Sequence, residues 1–196
     1  GYAFSGCSSL TEIVIPEKAV SIGTCAFSGC LKLMNITVDE NNPKYQDIDG
    51  NLYTREGKTL LQYALGKMQA SFTVPDGVTD IGEEAFKDCS NLMEIIISKS
   101  VTSIGPYAFS YCCDLMIFIS DSVVSISSSA FFLTSNVKVY FELESPPQDW
   151  SYIITTASYW YSETEPPLNS TGDGYKGNYW HYDENGKIVE WIFVEK

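Results

Sequence analysis

Few residues in this chain of 196 have chemistry to offer. There is one histidine, there are six cysteines, and a few carboxylates stand side by side. A Ser-His-Asp or Cys-His triad would have to use His181. No nucleophile-elbow sequence accompanies it, and no glycine-rich phosphate loop is present. His181 lies among aromatics in a segment that reads as a terminal hairpin, which makes it an outward or cap residue. Asp47-x-Asp49-Gly50-Asn51 opens like a calcium loop. An EF-hand loop needs a bidentate glutamate at its last position. The chain has Lys58 there, so these residues are read as a turn. Asp39-Glu40 and Asp183-Glu184 are adjacent carboxylates. Glycosidases need two carboxyls facing each other across a cleft, which adjacency along the chain does not specify. With no Cys-x-x-Cys and a remote histidine, a zinc site is poorly supported. No catalytic residue, metal or cofactor is expected, and the chain is read as non-enzymatic.

The cysteines follow a period instead. Ala3-Phe4-x-x-Cys7-x-x-Leu10 returns as Ala26-Phe27-x-x-Cys30-x-x-Leu33, Ala85-Phe86-x-x-Cys89-x-x-Leu92 and Ala108-Phe109-x-x-Cys112-x-x-Leu115. A decayed copy, Ala130-Phe131-x-x-Thr134-x-x-Val137, closes the series. The Phe-to-Phe steps are 23, 59, 23 and 22 residues. A disulfide framework has no reason to keep such a period. Cys7, Cys30, Cys89 and Cys112 are therefore read as a ladder of buried, reduced thiols that weakly bond the turn backbone. Cys25 and Cys113 sit off the ladder and receive no role.

A short period held this strictly means a solenoid, because each unit buries its apolar face only by stacking on the next. In one coil, Leu92, Ile95 and Ile97 alternate with Glu94, Ile96 and Ser98, which predicts a strand with one buried edge. Val101 and Ile104 predict a second short extended piece, and Gly105 a sharp turn. The Ala-Phe segment, Tyr107 to Tyr111, predicts one helical or 3₁₀ turn, with Phe109 filling the core beneath it. The expected class is thus an α/β repeat: a right-handed solenoid of short parallel strands and short helical turns. A longer variant coil falls at about 39–71. Its Leu52–Thr54 and Thr59–Tyr63 predict a β-hairpin that joins the solenoid sheet and replaces the helical turn. The solenoid covers 1–141. Residues 142–196 lose the period and gain aromatics, among them Trp150, Tyr152, Tyr159, Trp160, Tyr175, Trp180 and Trp191. They are read as a C-terminal cap, with a loop over 163–176 and a hairpin turning at Asn185-Gly186. Gly1 falls inside a repeat, so the natural N-terminus is expected upstream.

Charge excludes some partners. The formal net charge is -13, and the 12 Lys and Arg residues are scattered. That argues against nucleic acid and disfavours anionic membrane surfaces. No apolar run approaches the roughly 18 residues that a spanning helix needs.

Binding then falls to surfaces. Alternation sends the middle residue of each solenoid strand outward: Val14, Thr37, Thr73, Ile96, Phe118 and Tyr140. Ile96, Phe118 and Tyr140 form an aliphatic-aromatic patch where solvation alone favours Ser, Lys or Glu. Two readings stand. The patch is a face for a protein partner, or these are simply good strand residues that a flanking segment covers. Trp180 and its aromatic neighbours carry a further reading, stacking on a carbohydrate or cell-wall glycan. A purely structural stalk is the third.

Ile13-x-Ile15-Pro16-x-x-x-Val20-x-Ile22-Gly23-x-x-Ala26-Phe27-x-x-Cys30-x-x-Leu33 resembles the BspA-like leucine-rich repeat. Asn42-Pro43-x-Tyr45-x-x-x-Asp49-Gly50-x-Leu52-Tyr53 resembles the variant coil of that family. Tyr159-Trp160-Tyr161-Ser162-Glu163 through Trp180-His181-Tyr182 resembles segments that follow such repeats in surface proteins of anaerobic bacteria. The resemblance implies a secreted or surface-displayed bacterial protein engaged in adhesion or host contact. Thr134 and Val137 depart from the motif, which suggests the edge of the array.

Overall fold

The computed structural model describes residues 1–145, 158–164, 166, 168 and 178–190. Fifteen short strands are described: β1 (Glu12–Ile15), β2 (Asn35–Val38), β3 (Tyr45–Ile48), β4 (Asn51–Thr54), β5 (Thr59–Gln62), β6 (Ser71–Thr73), β7 (Asp80–Ile81), β8 (Glu94–Ile97), β9 (Ser103–Ile104), β10 (Met116–Ile119), β11 (Ser125–Ile126), β12 (Lys138–Phe141), β13 (Ser158–Tyr161), β14 (Tyr179–Tyr182) and β15 (Ile188–Glu190). The coils that begin with β6, β8 and β10 each supply one strand to the first face and one, β7, β9 or β11, to the second. The first face runs β6-β8-β10-β12-β13-β14-β15, with β1-β2 as a separate pair. The second runs β11-β9-β7-β5-β4-β3. Strands of successive coils pair in parallel without slippage, Phe72 on Ile95 and Ile95 on Ile117. A slip of one residue would turn the inward isoleucines to water, so the alternation itself fixes the register.

The described residues contain no helix, and the expected α/β class and helical turns are corrected to an all-β solenoid. The Ala-Phe segment is a chain of single turns. Every second amide bonds within the coil, as in Cys112 N–H to Phe109 O at 3.2 Å. The amides between them bond the next coil, as in Phe86 N–H to Ala108 O at 2.8 Å and Asp88 N–H to Ser110 O at 3.0 Å. A helix would spend all its amides internally and leave the stack no third ladder. Left-handed residues make the alternation possible, with Glu84 at φ 57° and Asp88 at φ 62°.

Beneath these turns runs a column of rings. Phe86 and Phe109 are fully buried. Their rings stack at 5.3 Å, and Phe109 stacks on Phe131 at 5.4 Å. Cys30, Cys89 and Cys112 are buried and reduced beside them. The Cys30 thiol donates to Phe4 O at 3.0 Å, and that of Cys112 to Phe86 O at 3.2 Å. Cys7 departs from the expected ladder. It is exposed in this structure. Burial pushes the Cys89 thiol up to about 11, so almost no thiolate exists there at neutral pH. In native protein, Cys30, Cys89 and Cys112 should stay silent to a thiol reagent until denaturant is added. Rapid native labelling of Cys89 would contradict this. Cys89→Ser places a hydroxyl in the apolar row and should cost about 1–3 kcal/mol in a urea titration.

The variant coil differs from expectation in two ways. Tyr45–Ile48 is a strand, so β3, β4 and β5 form an antiparallel meander and not a simple hairpin. The β3–β4 turn uses Asp49 and Gly50, both left-handed, as a two-residue hairpin turn prefers. β5 then joins the second face through β7. The turn ladder is retained as well. Tyr63 takes the phenylalanine slot, its amide bonds Ala85 O at 2.8 Å, and its ring stacks on Phe86 at 5.4 Å. The inserted strands divide the apolar interior into a small cluster around Phe27 and Ile36 and a large one from Tyr53 to Trp160.

Candidate functional site: the outward sheet face and its hairpin

Register places the outward column as expected. Ile96 pairs with Phe118, Phe118 with Tyr140, and Tyr140 with Tyr159. Phe118 stacks on Tyr140 and Tyr140 on Tyr159, each at 4.9 Å. The exposure is not as expected. Ile96 is exposed and Phe118 half-buried, but Tyr140 is only 3 % exposed and Trp180 only 1 %. Tyr140 and Trp180 are therefore corrected from surface residues to covered ones. The cover is the tail. Trp180 stands edge-on to Tyr140 at 6.1 Å, and its indole N–H donates to Phe141 O at 3.0 Å.

The antiparallel pair β14–β15 forms the roof. Asp183 closes its tip by accepting from the amides of Asn185 and Lys187, with Gly186 left-handed behind them. Those donations outweigh burial and hold Asp183 below the usual carboxylate range. Glu190 latches the roof to the sheet, accepting from Lys138 Nζ and Tyr140 Oη, each at 2.6 Å. The Lys138 ammonium also lies 5.3 Å from the Tyr159 ring centroid, near enough for a cation–π contact.

The latch predicts a pH response. Burial opposes the charge of Glu190, but the bonds from Lys138 and Tyr140 outweigh it and hold the carboxyl below its ordinary 4.5. The folded value is depressed, so the stabilisation is complete above the unfolded value and fades as pH falls through the folded one. The pair is about one-third exposed, so its worth is about 1 kcal/mol at most. Amide exchange of residues 179–190 should speed up as pH drops below about 4.5, after correction for the intrinsic rate. Glu190→Gln should exchange faster at neutral pH and lose that step. Identical corrected profiles would show that the latch holds nothing.

A cleft of about 370 Å³ opens beside the roof, lined by Ile96, Phe118, Trp180, Tyr182 and Ile188 with the carboxylates of Glu94 and Glu142. Burial and Glu142 raise the Tyr182 phenol. Alternation alone does not reach Tyr182 and Ile188, because it treats each strand apart from what folds back on it. The signal was the hairpin pattern, which places Tyr182 opposite Ile188. The Nδ1 of His181 lies 3.0 Å from Tyr182 O. Among the described residues, no group of His, Cys, Asp and Glu is arranged to hold a metal ion. Trp150, Tyr152, Tyr175, Trp191 and most of the expected loop at 163–176 lie outside the described residues. Among the described residues, no helix is long and apolar enough to cross a membrane.

Comparison with known proteins agrees with this geometry. The model for the BspA type leucine rich repeat region matches six copies, over residues 1–54 and 63–148. No curated protein matches. A leucine-rich repeat protein from Eubacterium ventriosum is similar in structure, at TM-score 0.62 and 23% identity over 86% of this chain and 48% of the other. The pneumococcal vaccine antigen PcpA has TM-score 0.56 and 16% identity, over 80% and 51%. A leucine rich cell surface protein from Faecalibacterium prausnitzii has TM-score 0.50 and 26% identity, over 74% and 50%. This chain spans about half the length of these solved chains. The repeat motif, the parallel coils and the matched residues converge, and the chain belongs to the BspA-type leucine-rich repeat family.

Proposed function

We propose that this chain is a non-enzymatic module displayed outside a bacterial cell, where it holds a protein partner on the open part of its parallel sheet. Ile96 and Phe118 are the contact residues, with Tyr140 and Trp180 as their buried support. The observation that carries this reading is the apolar outward column, still uncovered at Ile96 and half-open at Phe118. A rigid sheet face with aromatic and aliphatic anchors suits protein contact, since little ordering entropy is lost on binding. The family reading supports it, because leucine-rich repeats generally bind proteins. The similar Faecalibacterium prausnitzii protein is a cell surface protein, which supports surface display. Strands β13, β14 and β15 serve as a cap on the large core, which Trp160 and Tyr179 join.

A second reading is glycan binding in the roofed cleft, favoured by Trp180 and Tyr182 standing beside Glu142. One experiment separates the two. The purified chain is applied to an array of extracellular host and bacterial proteins and to a glycan array. Protein binding that falls about tenfold in Phe118→Asp, with the fold kept by circular dichroism, is the expected result. Specific glycan binding lost in Tyr182→Ala but kept in Phe118→Asp would favour the second reading. Protein binding indifferent to Ile96→Asp and Phe118→Asp would overturn the first.

A further inference from the structure

The second left-handed position of the turn recurs in five coils, as Gly6 (φ 76°), Gly29 (φ 72°), Asp88 (φ 62°), Tyr111 (φ 58°) and Leu133 (φ 53°). The fold demands this backbone conformation. Glycine meets it without strain, and aspartate tolerates it. Tyrosine and leucine meet it at a cost, and a sequence selected for folding alone has no reason to place them there. The same coils hold Tyr107 left-handed at φ 55°. These side chains do not turn inward to recover that cost. Tyr107, Tyr111, Phe132 and Leu133 are each between 38 % and 59 % exposed. They also adjoin one another. The Tyr107 ring lies 5.8 Å from that of Phe132 at 89°, and the Tyr111 ring 6.4 Å from it at 83°.

Two rings perpendicular to a third form the walls of an open box of partly exposed aromatic surface. Such surface attracts cations. Carboxylates stand in the next row of the stack. Asp88 N–H bonds Ser110 O and Glu84 N–H bonds Pro106 O, so Asp88 lies beside Tyr111 and Glu84 beside Tyr107. Lys87 pairs with Glu84 at 2.8 Å and acts on Asp88 only from farther off, so Asp88 is the carboxylate of that row without the direct pairing to Lys87. The chain as a whole carries -13.

We propose that Tyr107, Tyr111 and Phe132 form a second docking surface, on the turn edge, whose occupant is a basic segment of a partner protein. An arginine side chain enters among the rings, and Asp88 takes its charge. This surface is separate from the sheet face around Ile96, and it stands or falls without that assignment.

The test uses the whole chain and three short labelled peptides, one arginine-rich, one lysine-rich and one of glycine and serine. The arginine-rich peptide should bind saturably, the lysine-rich one more weakly, and the neutral one not at all. Phe132→Ser and Tyr111→Gly should each weaken arginine-peptide binding at least about tenfold, and Asp88→Asn should weaken it less. Leu133→Gly should leave the melting temperature unchanged or raised, because glycine suits that backbone. Equal loss with any removed carboxylate and none with the aromatics would reduce the effect to diffuse charge and overturn the proposal. A melting temperature that falls sharply in Leu133→Gly would show that the exposed side chains hold the fold, and would overturn it too. Binding of a neutral oligosaccharide at Tyr111 and Phe132, without arginine-peptide binding, would replace the assigned occupant.

Discussion

Truncating Phe109 to alanine should lower the unfolding free energy by about 3–5 kcal/mol, the largest loss expected from one substitution in the core. The ring is fully buried and sandwiched between Phe86 and Phe131. Neither neighbour can fill the gap, because its backbone is held at a fixed spacing by the ladder bonds from Phe86 to Ala108 and from Phe109 to Ala130. The cavity therefore persists, and a persistent cavity is what makes such truncations costly. A solenoid adds a second consequence. Coils contact only their neighbours, so the damage should be local and the transition should broaden or split. Urea titration followed by near-ultraviolet circular dichroism measures both. A loss below about 1 kcal/mol would mean that the turn is loosely packed.

That prediction rests on what periodicity reveals well. The recurrence of Ala-Phe-x-x-Cys is local in sequence, and it identifies the buried ring, the buried thiol and the inward isoleucines. Three features escaped it, each for a reason of range. The Ala-Phe turn reads as helical because alanine favours helices, but its backbone is decided by carbonyls in the next coil, 21 or 22 residues away. Tyr63 reads as a hairpin strand, yet it stands one full repeat before Phe86 and fills the same ring slot. The period carried that signal, and the inserted strands of the variant coil obscured it. The burial of Tyr140 depends on Glu190, 50 residues further along the chain. No alternation rule within β12 reports that a later hairpin will cross it. The candidate site was thus legible in its register, while its cover stood in the sequence as one of two open readings that only the fold decides.

Asn42 shows the same division between local and distant causes, and its removal should be the most damaging polar substitution. In sequence, Asn42-Pro43 is a turn dipeptide and nothing more. In the fold, Asn42 is fully buried and its side-chain amide makes four hydrogen bonds. Nδ2 donates to Pro16 O at 2.8 Å and Ala19 O at 3.0 Å, in the preceding coil. Oδ1 accepts from Lys44 N–H and Tyr45 N–H, each at 2.9 Å, at the entry to β3. One side chain therefore joins the end of a regular coil to the start of the inserted meander. Asn42→Ala would leave these backbone groups without partners in a dry site, at about 1–3 kcal/mol for each that stays unpaired. Relaxation will satisfy some of them, so a net loss of about 2–4 kcal/mol is expected. Asn42→Asp separates the two halves of the argument. The carboxylate keeps both acceptor bonds but faces two carbonyls with nothing to donate, so it should cost nearly as much at neutral pH. Protonation restores one donor, and the aspartate variant should recover part of its deficit as pH falls, opposite in sign to the Glu190 latch. Urea titrations of both variants at neutral and acid pH give the comparison. An aspartate variant as stable as the parent at neutral pH would show that the bonds to Pro16 and Ala19 contribute nothing.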